Sequence, residues 1–160
     1  MVVVAWLLIM LLLSMFFGGW LDNADNPNRD PEIRTNGNST ELVLRQDRSG
    51  HYVVDGLINN SRATLFLDTG ATSVVVPMEL ASEFGLDRGP SVRVSTANGE
   101  ITSYVSRIDR LVFGDIVLTN VEALLNPAMD RDDEILLGMS ALSELDMVQR
   151  DGQLVLTQYR

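Results

Sequence analysis

The sequence predicts an all-β domain with one or two short helices, preceded by a single transmembrane helix, and three observations carry that expectation. From Glu41 onward, short apolar runs alternate with Gly, Asn, Asp and Pro turn signals at strand-like spacing. Before that domain, Val2 to Leu21 carries no charged side chain, and about 20 helical residues are what a hydrocarbon core of about 30 Å requires. Between the two, Asp22 to Thr40 is rich in Asn, Asp and Pro and nearly free of large apolar residues, the composition of a linker. The expected organisation is therefore residues 1–21 as an anchor, 22–40 as a flexible linker and 41–160 as the folded domain.

The apolar run is longer than the core of a cleavable signal and lacks both a preceding Lys or Arg and a clear small-residue cleavage site, so it reads as an uncleaved anchor. The expected placement is single-pass in the inner membrane with the domain in the periplasm. The chain has 160 residues, 22 acidic and 12 basic, and a formal net charge of −10. Such a domain repels nucleic acid and anionic lipid, so DNA and RNA are excluded as expected partners. With no Cys in the chain, disulfides, thiolate catalysis and Cys-ligated zinc are excluded as well.

Within the domain, ELVLRQ, HYVVDGLIN and ATLFLD read as strands, with Asn59-Asn60-Ser61 turning between the second and third. SVVV is a fourth strand stopped by Pro77, and MELASEFGL reads as a short helix ending near Gly85. In VRVSTANGEITSYVSRI the central Asn98-Gly99 favours a tight type I′ turn, giving a polar two-stranded arm with its tip from Ala97 to Glu100. DRLVFGDIVLTNVEALLN supplies two more strands around Gly114-Asp115, and NPAMDRDDE is an acidic loop without calcium-loop spacing. EILLGMSALSELDM runs strand, Gly138, short helix, and QRDGQLVLTQY closes as a hairpin at Asp151-Gly152.

The residue that needs explaining is Asp68, set between the apolar runs of LFLDTGATSVVVP. A carboxylate cut off from water costs several kcal/mol unless paired or protonated, so an aspartate delivered by an apolar strand points to chemistry. Its bland reading is an aspartate that caps a turn, and the bland reading of Asn98-Gly99 is an ordinary exposed hairpin. His51 is a lone histidine at a strand start, with no metal or acid-base partner evident.

Taken in order, LFLDTGAT, VSTANGEITSY and ILLGMSAL resemble the retropepsin-like aspartic proteases, in which an Asp-Thr/Ser-Gly-Ala loop is followed by a flap hairpin and an apolar-apolar-Gly strand before a helix. The resemblance covers Glu41 to Arg160 and is greatest to the membrane-anchored proteobacterial members. It implies one half of an acid-protease β-barrel pair, with Asp68, Thr69 and Gly70 catalytic. It further implies substrate contacts from Ala71, Thr72, Ala97, Asn98, Gly99 and Glu100, with no metal and no organic cofactor. Thr69 would bond across a two-fold axis, Gly70 would line the water site, and residues 98–100 would close over an extended protein or peptide substrate.

Two-carboxylate hydrolysis needs one ionised and one protonated partner, and the chain contains a single Asp-Thr-Gly. The second aspartate must come from a second copy, so the expected enzyme is a homodimeric, membrane-anchored aspartic endopeptidase. The rival expectation is a dimeric peptide-binding module of the same fold that retains Asp68 only for structure. A third is a zymogen whose linker must be released first.

Overall fold

The computed structural model describes residues 26–96, 99–132 and 134–159, with Trp6, Met10 and Leu13 ahead of them. The expected anchor, 1–21, therefore lies almost wholly outside the described residues. Among the described residues no helix is long and apolar enough to cross a membrane.

Two antiparallel hairpins open the fold: β1 (Glu32–Asn36) with β2 (Ser39–Arg45), and β3 (Val53–Ile58) with β4 (Ser61–Leu67). The second hairpin turns at Asn59 and Asn60, both left-handed with φ of 46° and 74°, a conformation asparagine accepts more readily than most side chains. Asn59 also reaches across the molecule, accepting from the Arg110 N–H at 3.0 Å and donating to the Phe84 carbonyl at 3.0 Å. After β5 (Val74–Pro77), the segment expected to be a helix forms a 3-10 turn, Met78–Leu80, followed by further turns. Leu80, Phe84 and Leu86 are all buried there, a spacing that a single helical face does not provide.

The arm of the sequence reading is β6 (Ser91–Thr96) paired with the first part of β7 (Gly99–Phe113). Where the sequence suggested an arm and then a separate strand, β7 is one continuous element of 15 residues. Its upper part pairs only with β6 and is largely exposed. Its lower part pairs with β8 (Ile116–Asn126) and β3 and buries Ile108, Leu111 and Phe113 completely. β9 (Ile135–Leu137), the helix Met139–Leu142, β10 (Asp146–Arg150) and β11 (Gln153–Tyr159) complete the chain.

Strand order is β3-β4-β9-β5-β8-β7-β6, with an extra β3–β7 pairing that joins Gly56 to Phe113 and Ile58 to Leu111. That pairing closes six strands into a barrel and leaves β6 outside it as the edge of the arm. Gly56 makes the closure possible, since a Cβ there would stand 2.4 Å from the Val112 carbonyl oxygen. The remaining strands form an antiparallel sheet, β1-β2-β11-β10, whose Leu42, Leu44, Leu154 and Leu156 join the barrel's apolar core.

The folded part begins earlier than the sequence boundary at Glu41. β1 lies inside the segment expected to be linker, and Asn26 and Asn28 are both buried. Asn28 donates to the Val53 carbonyl at 2.7 Å and the Arg45 carbonyl at 2.9 Å, and accepts from the Arg45 N–H at 2.7 Å. Its amide thus acts as a strand would between β2 and β3. A composition argument counts apolar surface and does not register polar side chains that substitute for backbone.

Candidate functional site

β4 is buried at Leu65 and runs parallel to β9, Leu67 lying opposite Leu137, so the chain reaches Asp68 from the barrel interior. The loop after β4 then turns tightly. The Gly70 N–H donates to Asp68 Oδ1 at 2.8 Å, and the Ala71 N–H donates to the Asp68 carbonyl at 3.2 Å. The carboxylate is thereby aimed by its own loop and remains half-buried.

The second strand-Gly-helix motif supports the loop from beneath. Asp68 N–H donates to the Leu137 carbonyl at 3.2 Å, Met139 N–H to Ala71 at 2.8 Å, and Ser140 N–H to Thr72 at 2.9 Å. Ser140 adds a side-chain bridge: its hydroxyl accepts from the Val74 N–H at 2.9 Å and donates to the Glu122 carbonyl at 2.8 Å. Buried Ser73 donates its hydroxyl to Glu122 Oε1 at 3.1 Å. Two segments far from the loop in sequence, Leu137–Ser140 and Glu122, therefore hold the stretch from Asp68 to Val74, which is the preorganisation a reacting carboxylate needs.

Asp68 borders two hollows. One, of about 330 Å³, is a cleft between the loop and the arm, where Gly70, Ala71 and Thr72 face Val94, Thr96 and Ile101. Its floor is apolar, formed by Val75, Leu124 and Leu136. The other, of about 530 Å³, lies on the opposite side of the carboxylate and is bounded by Tyr52, Phe66, Thr69, Met147 and Gln149. Thr69 is exposed there and does not face the cleft. Among the described residues, the Tyr52 hydroxyl is the buried side-chain polar atom left without a hydrogen-bond partner.

Of the residues singled out in the sequence, the structure gathers Asp68, Gly70, Ala71 and Thr72 on the cleft and places Thr69 on the other hollow. Gly99 and Glu100 sit on the arm but do not line the cleft, and Glu100 instead approaches Arg93 at 3.8 Å in an exposed pair. Ala97 and Asn98 lie outside the described residues. Sequence reasoning missed Val94, Thr96 and Ile101, although the alternation of Val92, Val94 and Thr96 marks one face of β6. It also missed Glu122, whose partner Ser73 is 49 residues away and leaves no local signal.

A closed barrel of this strand order, with an Asp-Thr-Gly loop supported by a strand-Gly-helix and covered by a hairpin, defines the retropepsin-like class. The fold superimposes on the crystal structure of a retropepsin-like aspartic protease from Rickettsia conorii with a TM-score of 0.64 and 24% identity, over 81% of this chain and 96% of that one. The chain belongs to the gag-polyprotein putative aspartyl protease family, whose model matches residues 54–144. Among curated proteins it is 31% identical over 126 residues to an uncharacterised protein from the cobV 5′ region of a Sinorhizobium species, covering 77% of this chain and 54% of that protein. It is 25% identical over 122 residues to the uncharacterised protein RP867 of Rickettsia prowazekii (strain Madrid E), covering 74% and 52% respectively. The chain thus spans about half the length of the curated relatives it matches.

Proposed function

We propose that the protein is a homodimeric aspartic endopeptidase in which two Asp68 carboxylates, one from each copy, activate a water molecule against the peptide bond of an extended substrate. The observation that carries this reading is the half-buried Asp68, oriented by the Gly70 N–H at the head of a cleft with an apolar floor beneath a hairpin. A single carboxylate can take a proton from water but has none to give to the carbonyl. Two carboxylates about 3 Å apart hold one proton between them, because they cannot both remain charged at that distance. The ionised one removes a proton from water as its oxygen attacks the carbonyl carbon, and the protonated one donates to the carbonyl oxygen. Collapse of the tetrahedral intermediate then breaks the C–N bond, with a proton delivered to the leaving nitrogen.

Within this reading, Thr69 orients the pair across the axis and residues 98–100 close over the substrate. The open edge of β6 offers main-chain hydrogen bonds to a peptide lying in the cleft, a mode of recognition that tolerates varied sequences. No metal or organic cofactor takes part.

Activity is expected to be greatest below neutrality. As pH rises, the shared proton is lost and with it the donor to the carbonyl, so the rate falls. Initial rates of cleavage of an unfolded protein from about pH 4 to pH 9 check this, and a flat profile would exclude a proton-sharing pair.

The reading also places Val2 to Leu21 as a single-pass anchor in the inner membrane, with the domain on the periplasmic side. Its support is a run of uncharged residues long enough to span. The full chain is expected to stay in the membrane pellet after an alkaline carbonate wash, and release into the supernatant would exclude an integral anchor.

A further inference from the structure

We infer that the second copy docks along the open edge of β10, through an antiparallel pairing of β10 with itself about Val148. The inference rests on the peptidase reading for the need of a second copy, and on the strand for where that copy sits.

All four strands of the sheet β1-β2-β11-β10 come from one chain, so a partner cannot complete it and can only extend it at an edge. β10 is exposed at all of its residues, and Val148, at its centre, is 59% exposed. The strand carries no Pro and no Lys, two of the devices that keep an edge unpaired, and its charges, Asp146 and Arg150, stand only at its two ends with opposite signs. It also borders the active loop, since Met147 and Gln149 line the same hollow as Asp68 and Thr69.

The sequence of β10 is complementary to itself. Reversed about Val148, Asp146 faces Arg150 of the partner subunit, Met147 faces the partner's Gln149, and Val148 meets its own copy. Among the described residues Arg150 approaches its exposed neighbour Asp151, at 3.3 Å. Backbone direction agrees. Arg150 and Gln153 close a two-residue turn, so they exchange hydrogen bonds, and by alternation so do Val148 with Val155 and Asp146 with Thr157. The N–H and C=O groups of Met147 and Gln149 therefore point outward. A partner centred on Val148 meets them as two doubly hydrogen-bonded pairs, with Val148 in the closer, non-bonded position.

The opposite edge fails the same comparison. β1 reversed about its centre sets Arg34 against itself, and Arg34 is already paired with Glu32 at 2.8 Å. Like charges directly opposite each other oppose pairing.

The test uses the full chain in mild detergent. Because the chain has no cysteine, Val148→Cys introduces a single thiol at the axis, where cross-strand Cα atoms about 4.5 Å apart suit a disulfide. Mild oxidation is expected to convert most of that variant to a covalent dimer and to leave Arg34→Cys monomeric on a denaturing gel. In sedimentation, Asp146→Arg is expected to raise the dimer dissociation constant roughly ten-fold, and addition of Arg150→Asp to restore it. A cross-link from Arg34→Cys alone, no cross-link at all, or a double variant no tighter than the single one would overturn the proposal. Cleavage by the parent protein separates the two readings. Asp68-dependent cleavage without these β10 effects leaves the peptidase and removes this interface, whereas a β10 dimer that cleaves nothing does the reverse.

Discussion

Replacing Asp68 by Asn is expected to lower the rate of peptide hydrolysis by at least about 10³-fold while leaving fold and association intact. Asparagine has the same shape, and its side-chain oxygen can still accept from the Gly70 N–H, which holds Asp68 Oδ1 at 2.8 Å. The loop therefore keeps its geometry, including the bonds from Asp68 N–H to Leu137 and from Met139 N–H to Ala71. What disappears is the ability to hold or release a proton, and in a homodimer it disappears from both halves of the site at once. A loss of that size corresponds to about 4 kcal/mol of transition-state stabilisation at about 1.36 kcal/mol per decade. Asp115, in the exposed turn between β7 and β8, is the matched control, and Asp115→Asn is expected to leave the rate unchanged. Cleavage of an unfolded protein by the three forms at one acidic pH is the measurement. An Asp68→Asn protein that cleaves as fast as the parent would remove Asp68 from the chemistry and leave the binding module as the better description.

Gly138→Ala is expected to destabilise the domain by about 3 kcal/mol or more, or roughly 10 °C in melting temperature. Backbone strain is not the cause, because Gly138 has an ordinary extended conformation with φ of −91°. The cause is space. A Cβ at this position would lie 2.2 Å from the Ser73 carbonyl oxygen, 2.7 Å from its carbon and 2.8 Å from the Ala71 carbonyl oxygen. All three are backbone atoms of the loop that carries Asp68, so no side chain can swing aside. Relief must come from separating the loop and β9, which would stretch the bonds from Met139 and Ser140 and release the carboxylate from its position. Gly37, with nothing within 4 Å of its Cβ direction, provides the comparison. Thermal melting of Gly138→Ala and Gly37→Ala checks the argument, and equal melting temperatures would refute it.

Much of this arrangement was legible along the chain. Asn59-Asn60 and Asp151-Gly152 occupy left-handed turns as their sequences suggested, and apolar alternation located most of the strands. The apolar strand into Asp68, the polar arm and the Leu-Gly-Met segment were legible as a set because each is a short local pattern in a fixed order. Less legible were the features made by distant partners. Nothing near Asn28 shows that its amide will lie between β2 and β3, and nothing near Glu122 shows that it will hold Ser73.

The sequence by itself determined the strand-rich domain, its turns and its single Asp-Thr-Gly, the count from which the proposed peptidase takes its second carboxylate from another copy. These follow from backbone preferences and side-chain periodicity over a few residues, which act before any fold exists. Only the tertiary structure decided that β9 passes between β4 and β5, that β3 closes on β7, and that Thr69 faces a different hollow from Ala71 and Thr72. It also decided that β10 is left as a sheet edge beside the loop that carries Asp68. Those outcomes depend on which strands meet when the barrel closes, and strand pairing is set by burial of the whole apolar core rather than by any segment's own preference.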